Sequence, residues 1–171
     1  SPVFFLILIT GYIFGGRMGF LMGSMTMLVS ALITGGVGPW LPNQMLTAGW
    51  VGLSAAIARR LVLLTHQENN TFEWIILLIF GFVWGYMYGA ITNLWFWPFL
   101  SGPSNQQFVP GSSFTMAMRN YGIFYLATSL IWDTTRAIGN ILLILFFGKA
   151  TIKVLRRFQK RFYFVQLGEE N

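Results

Sequence analysis

Ser129, Asp133, Arg136 and Asn140 fall together in a stretch of chain that is mostly apolar. At 100° per helical residue they fall within about 60° of one another, with Tyr125 close by. Ionisable groups inside an apolar helix are costly and turn towards a partner or a cavity. Asp133 and Arg136, three apart, can pair directly. Two chemistries fit the stripe. One is an ion pair that locks this helix to its neighbours. The other is the floor of an outward-facing pocket that offers hydrogen bonds to a polar solute. A second helix repeats the theme, because Tyr86 and Asn93 are seven apart and share a face, while Trp84 and Tyr88 are one turn apart. Asn93 in apolar surroundings requires a neighbouring helix or a ligand as partner, and the aromatic pairs suit either packing or a pocket wall. A third group, Trp40, Asn43 and Gln44, lies in the uncharged stretch 35–44. Trp40 suits an interface anchor or a stacking surface, and Asn43 and Gln44 suit a helix cap or solute contacts. The candidate solute-binding residues are thus Trp40, Asn43, Gln44, Tyr86, Asn93, Asp133, Arg136 and Asn140.

Covalent and metal chemistry find little to work with. The chain has no Cys, and its one His, His66, falls in a polar connection. Thiolate metal sites, iron–sulfur clusters, disulfides and a haem held by two histidines are therefore excluded. An intramembrane hydrolase needs a nucleophile with its base, or a metal set, whereas the apolar segments offer the single carboxylate of Asp133. One acid beside a fixed cation is also a poor basis for an ion-coupled carrier. No catalytic residue, metal ligand or cofactor is assigned.

The elements that would position these groups follow from composition and length. Mean hydropathy is +0.62, and only 9% of residues are charged. A soluble domain carries roughly 25% charged residues, so this chain reads as an all-α integral membrane protein. Residues 3 to 34 as one helix would extend about 48 Å, too far for a hydrocarbon core of about 30 Å. Gly15-Gly16-Arg17 therefore reads as a turn between a short first helix, Val3 to Gly15, and a second from Met18 to Thr34. A third helix is expected from Gln44 to Leu64, a polar connection from Thr65 to Thr71, and a fourth helix from Phe72 to Leu100. Gly81, Gly85 and Gly89 on the fourth helix, like Gly19 and Gly23 on the second, mark close-packing faces. Trp95, Phe96 and Trp97 read as an interface belt. After an uncharged loop from Ser101 to Ser113, the stretch from Phe114 to Phe147 is too long for one span and is expected to begin as an interfacial piece. The division is a transmembrane bundle over 1–148 and a basic cytoplasmic tail over 149–171.

Charge orients the bundle. Arg17, Arg59, Arg60 and six basic residues from Lys149 to Arg161 fall on one side of this five-span layout, and the two loops on the other side hold no Lys or Arg. The positive-inside rule then puts the C-terminus in the cytoplasm and loops 35–44 and 101–113 outside, as two halves of a lid. The sequence opens at Ser1 within an apolar run, so a preceding helix is expected, giving six with both termini inside. The tail places Lys149, Lys153, Arg156, Arg157, Lys160 and Arg161 every three to four residues with Phe158 and Phe162 among them. That pattern suits a helix lying on anionic lipid, with docking of a cytoplasmic partner as the alternative and nucleic acid disfavoured.

The run Gly15-Gly16-Arg17-Met18-Gly19-Phe20, the loop Gly38-Pro39-Trp40-Leu41-Pro42-Asn43-Gln44-Met45 and the segment Gly49-Trp50-Val51-Gly52-Leu53 resemble the substrate-binding S components of energy-coupling factor (ECF) vitamin transporters. The likeness continues through Gly89-Ala90-Ile91-Thr92-Asn93-Leu94-Trp95-Phe96, Asp133…Arg136-Ala137-Ile138-Gly139-Asn140 and Leu155-Arg156-Arg157-Phe158. It implies a six-helix protein of the bacterial plasma membrane that captures a vitamin, cobalamin-like or other, from outside. Such proteins associate with a membrane coupling subunit and two ABC-type ATPases. ATP hydrolysis falls to those partners, and this chain has no Walker-type phosphate loop. Two features depart from the pattern: the first helix with its Ala-xxx-Ala coupling face is absent from these residues, and Arg136 stands where His is frequent. The competing reading is an accessory subunit of a larger membrane complex that keeps the fold without transport.

Overall fold

The structure, a computed structural model, describes residues 2–65 and 71–161. His66 and most of the polar connection around it, together with Phe162 and the rest of the tail, lie outside the described residues. The elements in order are α1 (Val3–Phe14), α2 (Gly16–Thr34), α3 (Leu41–Leu64), α4 (Thr71–Phe96), a single 3-10 turn (Trp97–Phe99), α5 (Phe114–Thr128) and α6 (Leu130–Arg161). Helices α2, α3, α4 and α6 are long and apolar enough to cross a membrane, and α1 is a shorter apolar helix of 12 residues. Large apolar side chains point outward as well as inward, with Ile33 80% and Phe146 75% exposed. Such a surface is stable against lipid and not against water.

Helix α1 lies at the centre of the bundle. Phe5, Ile7, Leu8, Ile9, Tyr12 and Ile13 are all buried, and α2, α3, α4 and α6 each pack on it. A helix apolar all round can be buried round most of its circumference, here all but the edge that carries Leu6 and Phe14, and hydropathy alone cannot distinguish that from a lipid-facing span. Gly15, at φ 93°, makes the α1–α2 turn that a Cβ would oppose. Gly19 and Gly23 of α2 abut the backbone of Gly52 and Ala48 on α3, and Ser24 Oγ donates to the Met45 carbonyl at 3.0 Å. The small-residue faces thus bring backbones into contact.

The second seam joins α4 to α6. Gly81 faces Asn140 and Ile144, Gly85 faces Ala137, and Gly89 faces the Asp133 carboxylate. Three glycines at i, i+4 and i+8 therefore receive the polar stripe of α6 in a groove without side chains. The segment from Phe114 onward does not form one helix. It breaks at Ser129, whose φ is −123°, into α5 and α6. α6 then continues without interruption past Lys149 to Arg161.

The two ends of the bundle differ in charge. At one end α1 turns into α2 beside Arg17, and Arg59 donates to the carbonyls of Tyr12 and Ile13. Glu73, in the first turn of α4 and buried, accepts from the Tyr12 hydroxyl at 2.7 Å and pairs with Arg156 at 2.6 Å. Gln159 donates to the Ile13 carbonyl at 2.8 Å. These bonds tie α1, α4 and α6 together at the basic end. The opposite end holds the stretches 35–40 and 100–113 and helix α5, which adds one exposed cation, Arg119, to a side whose two loops hold none.

Candidate solute site between α4, α5 and α6

At the end away from the basic residues, α4, α5 and α6 line an open pocket of about 370 Å³. Its walls are Gly89, Thr92 and Asn93 from α4, Phe124 and Thr128 from α5, and Trp132, Asp133 and Arg136 from α6, with Leu100 and Ser129 at the connections. Volumes of ~300–1,000 Å³ are usual for small-molecule sites. The lining mixes aromatic and aliphatic surface with one carboxylate, one guanidinium, an amide and three hydroxyls.

Asp133 is buried to 1% exposure. One of its oxygens accepts from the Tyr125 hydroxyl at 2.6 Å, and the other pairs with Arg136. Arg136 also donates to the Gly85 carbonyl at 3.1 Å and lies over the rings of Phe4 and Tyr88, 5.4 and 5.1 Å from their centroids. Those faces favour a cation, so α1 and α4 both help to hold the guanidinium. Asn93 donates to Ser129 Oγ at 2.6 Å, and the Ser129 and Thr128 hydroxyls are 3.0 Å apart. This bond holds the α5–α6 corner to α4. Helix α5 lies outside the four spanning helices. Burial, then donation to Asp133, raises Tyr125 above the usual phenol range. Burial, then the Asp133 charge, pushes Tyr121 up to about 12. Both phenols stay protonated near neutrality, so Tyr125 acts there as a donor to Asp133.

Of the eight candidate residues, Asn93, Asp133 and Arg136 meet in this pocket. The other five lie elsewhere. Asn140 is two turns further along α6 in the α4–α6 seam, where Nδ2 donates to the Gly81 carbonyl at 2.9 Å. Tyr86 shares a 3.0 Å hydrogen bond with Thr134 and packs edge-on against Phe82. Trp40 donates from Nε1 to the Gly36 carbonyl at 3.1 Å, and its ring lies 6.5 Å from that of Phe96. Asn43 and Gln44 do not cap α3: the helix begins earlier, at Leu41, with Trp40 at its N-cap and no side-chain capping bond. Both lie in its first turn. Asn43 Nδ2 and Asn140 Oδ1 are buried side-chain atoms without a hydrogen-bond partner among the described residues.

The roof of the pocket is α5 with Leu100, while the stretch 35–40 meets the end of α4 beside it. Trp97 does not join the interface belt. It is 4% exposed, donates to the Gln106 carbonyl at 2.7 Å, and packs between Phe108 and Tyr121 at 5.3 Å each. It thereby anchors the 100–113 loop. Thr92, Phe124, Thr128 and Trp132 are pocket residues without a sequence signal, since Thr and aromatics are common in membrane helices. Glu73 had one: a lone acid opening a long apolar helix, opposite a basic segment.

The architecture is that of an integral membrane helical bundle with a pocket lined by polar groups near one end. A family profile described as ECF transporter, substrate-specific component, matches residues 1–148, most of the 171-residue chain. The chain belongs to this family and is a substrate-specific component of an ECF transporter. No curated protein and no solved structure matches it.

Proposed function

We propose that this chain captures a compact vitamin or related micronutrient at the α4–α5–α6 pocket, and that it lies in the bacterial plasma membrane with its C-terminus in the cytoplasm. A coupling subunit and two ABC-type ATPases would then complete the importer and supply the energy. The carrying observation is the convergence of Asn93, Asp133 and Arg136 on one pocket of about 370 Å³. In this reading Arg136 receives an anionic or carbonyl oxygen of the solute, Asn93 and Thr92 supply neutral hydrogen bonds, and Phe124 and Trp132 cover its apolar part. The volume favours a small heterocyclic vitamin over a cobalamin-like corrinoid, which is several times larger. Trp40, Asn43 and Gln44 stand on the adjoining corner and would touch a solute only when the 35–40 stretch closes over α4. The nine basic residues at one end, against Arg119 at the other, support this orientation.

One observation favours the accessory-subunit reading. Asp133 is engaged at both oxygens and Asn93 is bonded to Ser129, so part of the stripe is satisfied without any solute. Calorimetric titration of the purified chain with a panel of vitamins separates the two readings. Saturable binding that Asn93→Ala weakens supports capture. No binding across the panel, with or without the coupling subunits, together with stable co-purification with a complex lacking ABC ATPases, supports the accessory role.

A further inference from the structure

The basic end of α6 borders a second cavity, of about 740 Å³, far from the solute pocket. Trp74 and Ile152 form an apolar wall, and Lys149, Lys153, Arg157 and Lys160 surround it. Arg156, also at the cavity, is paired with Glu73. No ion pair among the described residues engages the other cations there, because the two described acids, Glu73 and Asp133, are already paired. Lys149 instead lies 5.7 Å from the ring centroid of Trp74. Like charges four apart on a helix repel, and the series 149, 153, 157, 161 repeats that spacing. An anion placed here would relieve that repulsion.

The same face says what kind of anion. Leu142, Phe146, Lys149 and Lys153 follow one another at i, i+4, i+7 and i+11, so they form one stripe along α6. Leu142 and Phe146 are exposed apolar residues, at 47% and 75%, and the two lysines are exposed as well. The stripe passes from lipid-facing to cationic within one turn, beside a cavity with an aromatic wall. A free phosphate would meet the cations and leave that wall wet. An amphiphile satisfies both halves.

We propose that this cavity binds the phosphate headgroup of an anionic phospholipid, with Lys149 and Lys153 on the phosphate and Trp74 against the glycerol region. The acyl chains then follow the Phe146 and Leu142 side of α6. The site is independent of the solute pocket, so either can fail alone. It also borders the Arg156–Glu73–Tyr12 bonds that join α6, α4 and α1, so a bound lipid buttresses the point where the three helices meet.

The test uses the full chain reconstituted in nanodiscs of phosphatidylcholine with phosphatidylglycerol, followed by native mass spectrometry of the lipid that stays bound after extraction. Wild type is expected to retain phosphatidylglycerol in preference to phosphatidylcholine. At about fivefold per cation near an anionic surface, Lys149→Gln with Lys153→Gln should reduce that retention roughly 25-fold. Both positions are exposed, and an unchanged helical circular-dichroism spectrum in the double variant certifies its fold. Soluble glycerol phosphate in excess should not displace the lipid. Equal retention of the two lipids, or unchanged retention in the double variant, overturns the proposal. Displacement by glycerol phosphate would make the site a phosphate site instead. Unchanged lipid retention with lost co-purification of a protein would make the face a docking surface for that protein.

Discussion

Replacing Asp133 by Asn keeps the side chain's shape and its ability to accept from Tyr125, but removes the charge opposite Arg136. Breaking a fully buried pair by removing one partner costs ~3–5 kcal/mol. Here the Arg136 side chain is 22% exposed, towards the pocket. It also keeps its bond to the Gly85 carbonyl and the Phe4 and Tyr88 ring faces. These contacts bring the expected cost down to about 2–3 kcal/mol. For a chain of this size each kcal/mol moves the midpoint by ~2–4 °C, so Asp133→Asn should melt about 4–12 °C below wild type. The assay is thermal unfolding in mild detergent without solute, followed by circular dichroism. A double-mutant cycle with Arg136→Gln makes the reasoning sharper. If the loss in Asp133→Asn comes from a stranded guanidinium, removing Arg136 as well should recover at least ~1 kcal/mol. A drop under about 2 °C, or strictly additive losses in the cycle, would refute the claim that this pair holds α6 to α4 and α1.

Three further outcomes follow from the packing. Gly85→Ala places a methyl on the backbone of Ala137 and should lower stability by ~1–3 kcal/mol. Gly139→Ala, which meets nothing nearby, should be neutral or raise stability by up to ~1 kcal/mol; both are read from the same melting curves. Trp97→Ala removes the buried anchor of the 100–113 loop at a cost of ~3–5 kcal/mol, and limited proteolysis should then cut within that loop much faster than in wild type.

The spanning helices and their approximate bounds were legible because apolar runs measured against a bilayer leave few choices. The small-residue faces were legible for the same kind of reason: Gly19 with Gly23, and Gly81 with Gly85 and Gly89, mark where backbones touch whatever the partner is. What the sequence concealed was mostly tertiary. The α5–α6 break at Ser129 contains neither Gly nor Pro, and the corner is held by Asn93 from another helix. The central place of α1 was hidden because an apolar helix reads the same against lipid and against protein. Trp97 looked like a belt residue until the loop it anchors folded back on it. The polar stripe was legible as one face, but which of its members reach the pocket was not: Asn140 falls in a seam opposite Gly81, while Asp133 and Arg136 reach the pocket. Spacing gives a face and a height along the helix. It does not give the gap between two helices.

The central claim is that Asn93 and Arg136 hold a solute in the α4–α5–α6 pocket. Its most direct measurement is the dissociation constant, by calorimetry, of whichever vitamin from the panel binds the purified chain, compared among wild type, Asn93→Ala and Arg136→Lys. Arg136→Lys keeps the charge but loses the planar fork, so it separates solute recognition from loss of the Asp133 pair. The account predicts that each variant weakens binding by roughly 10-fold or more, one good hydrogen bond to a charged or buried group being worth ~1.5–3 kcal/mol. Both variants should stay folded at the assay temperature. A vitamin that binds all three proteins with the same affinity would contradict it and put the solute site elsewhere.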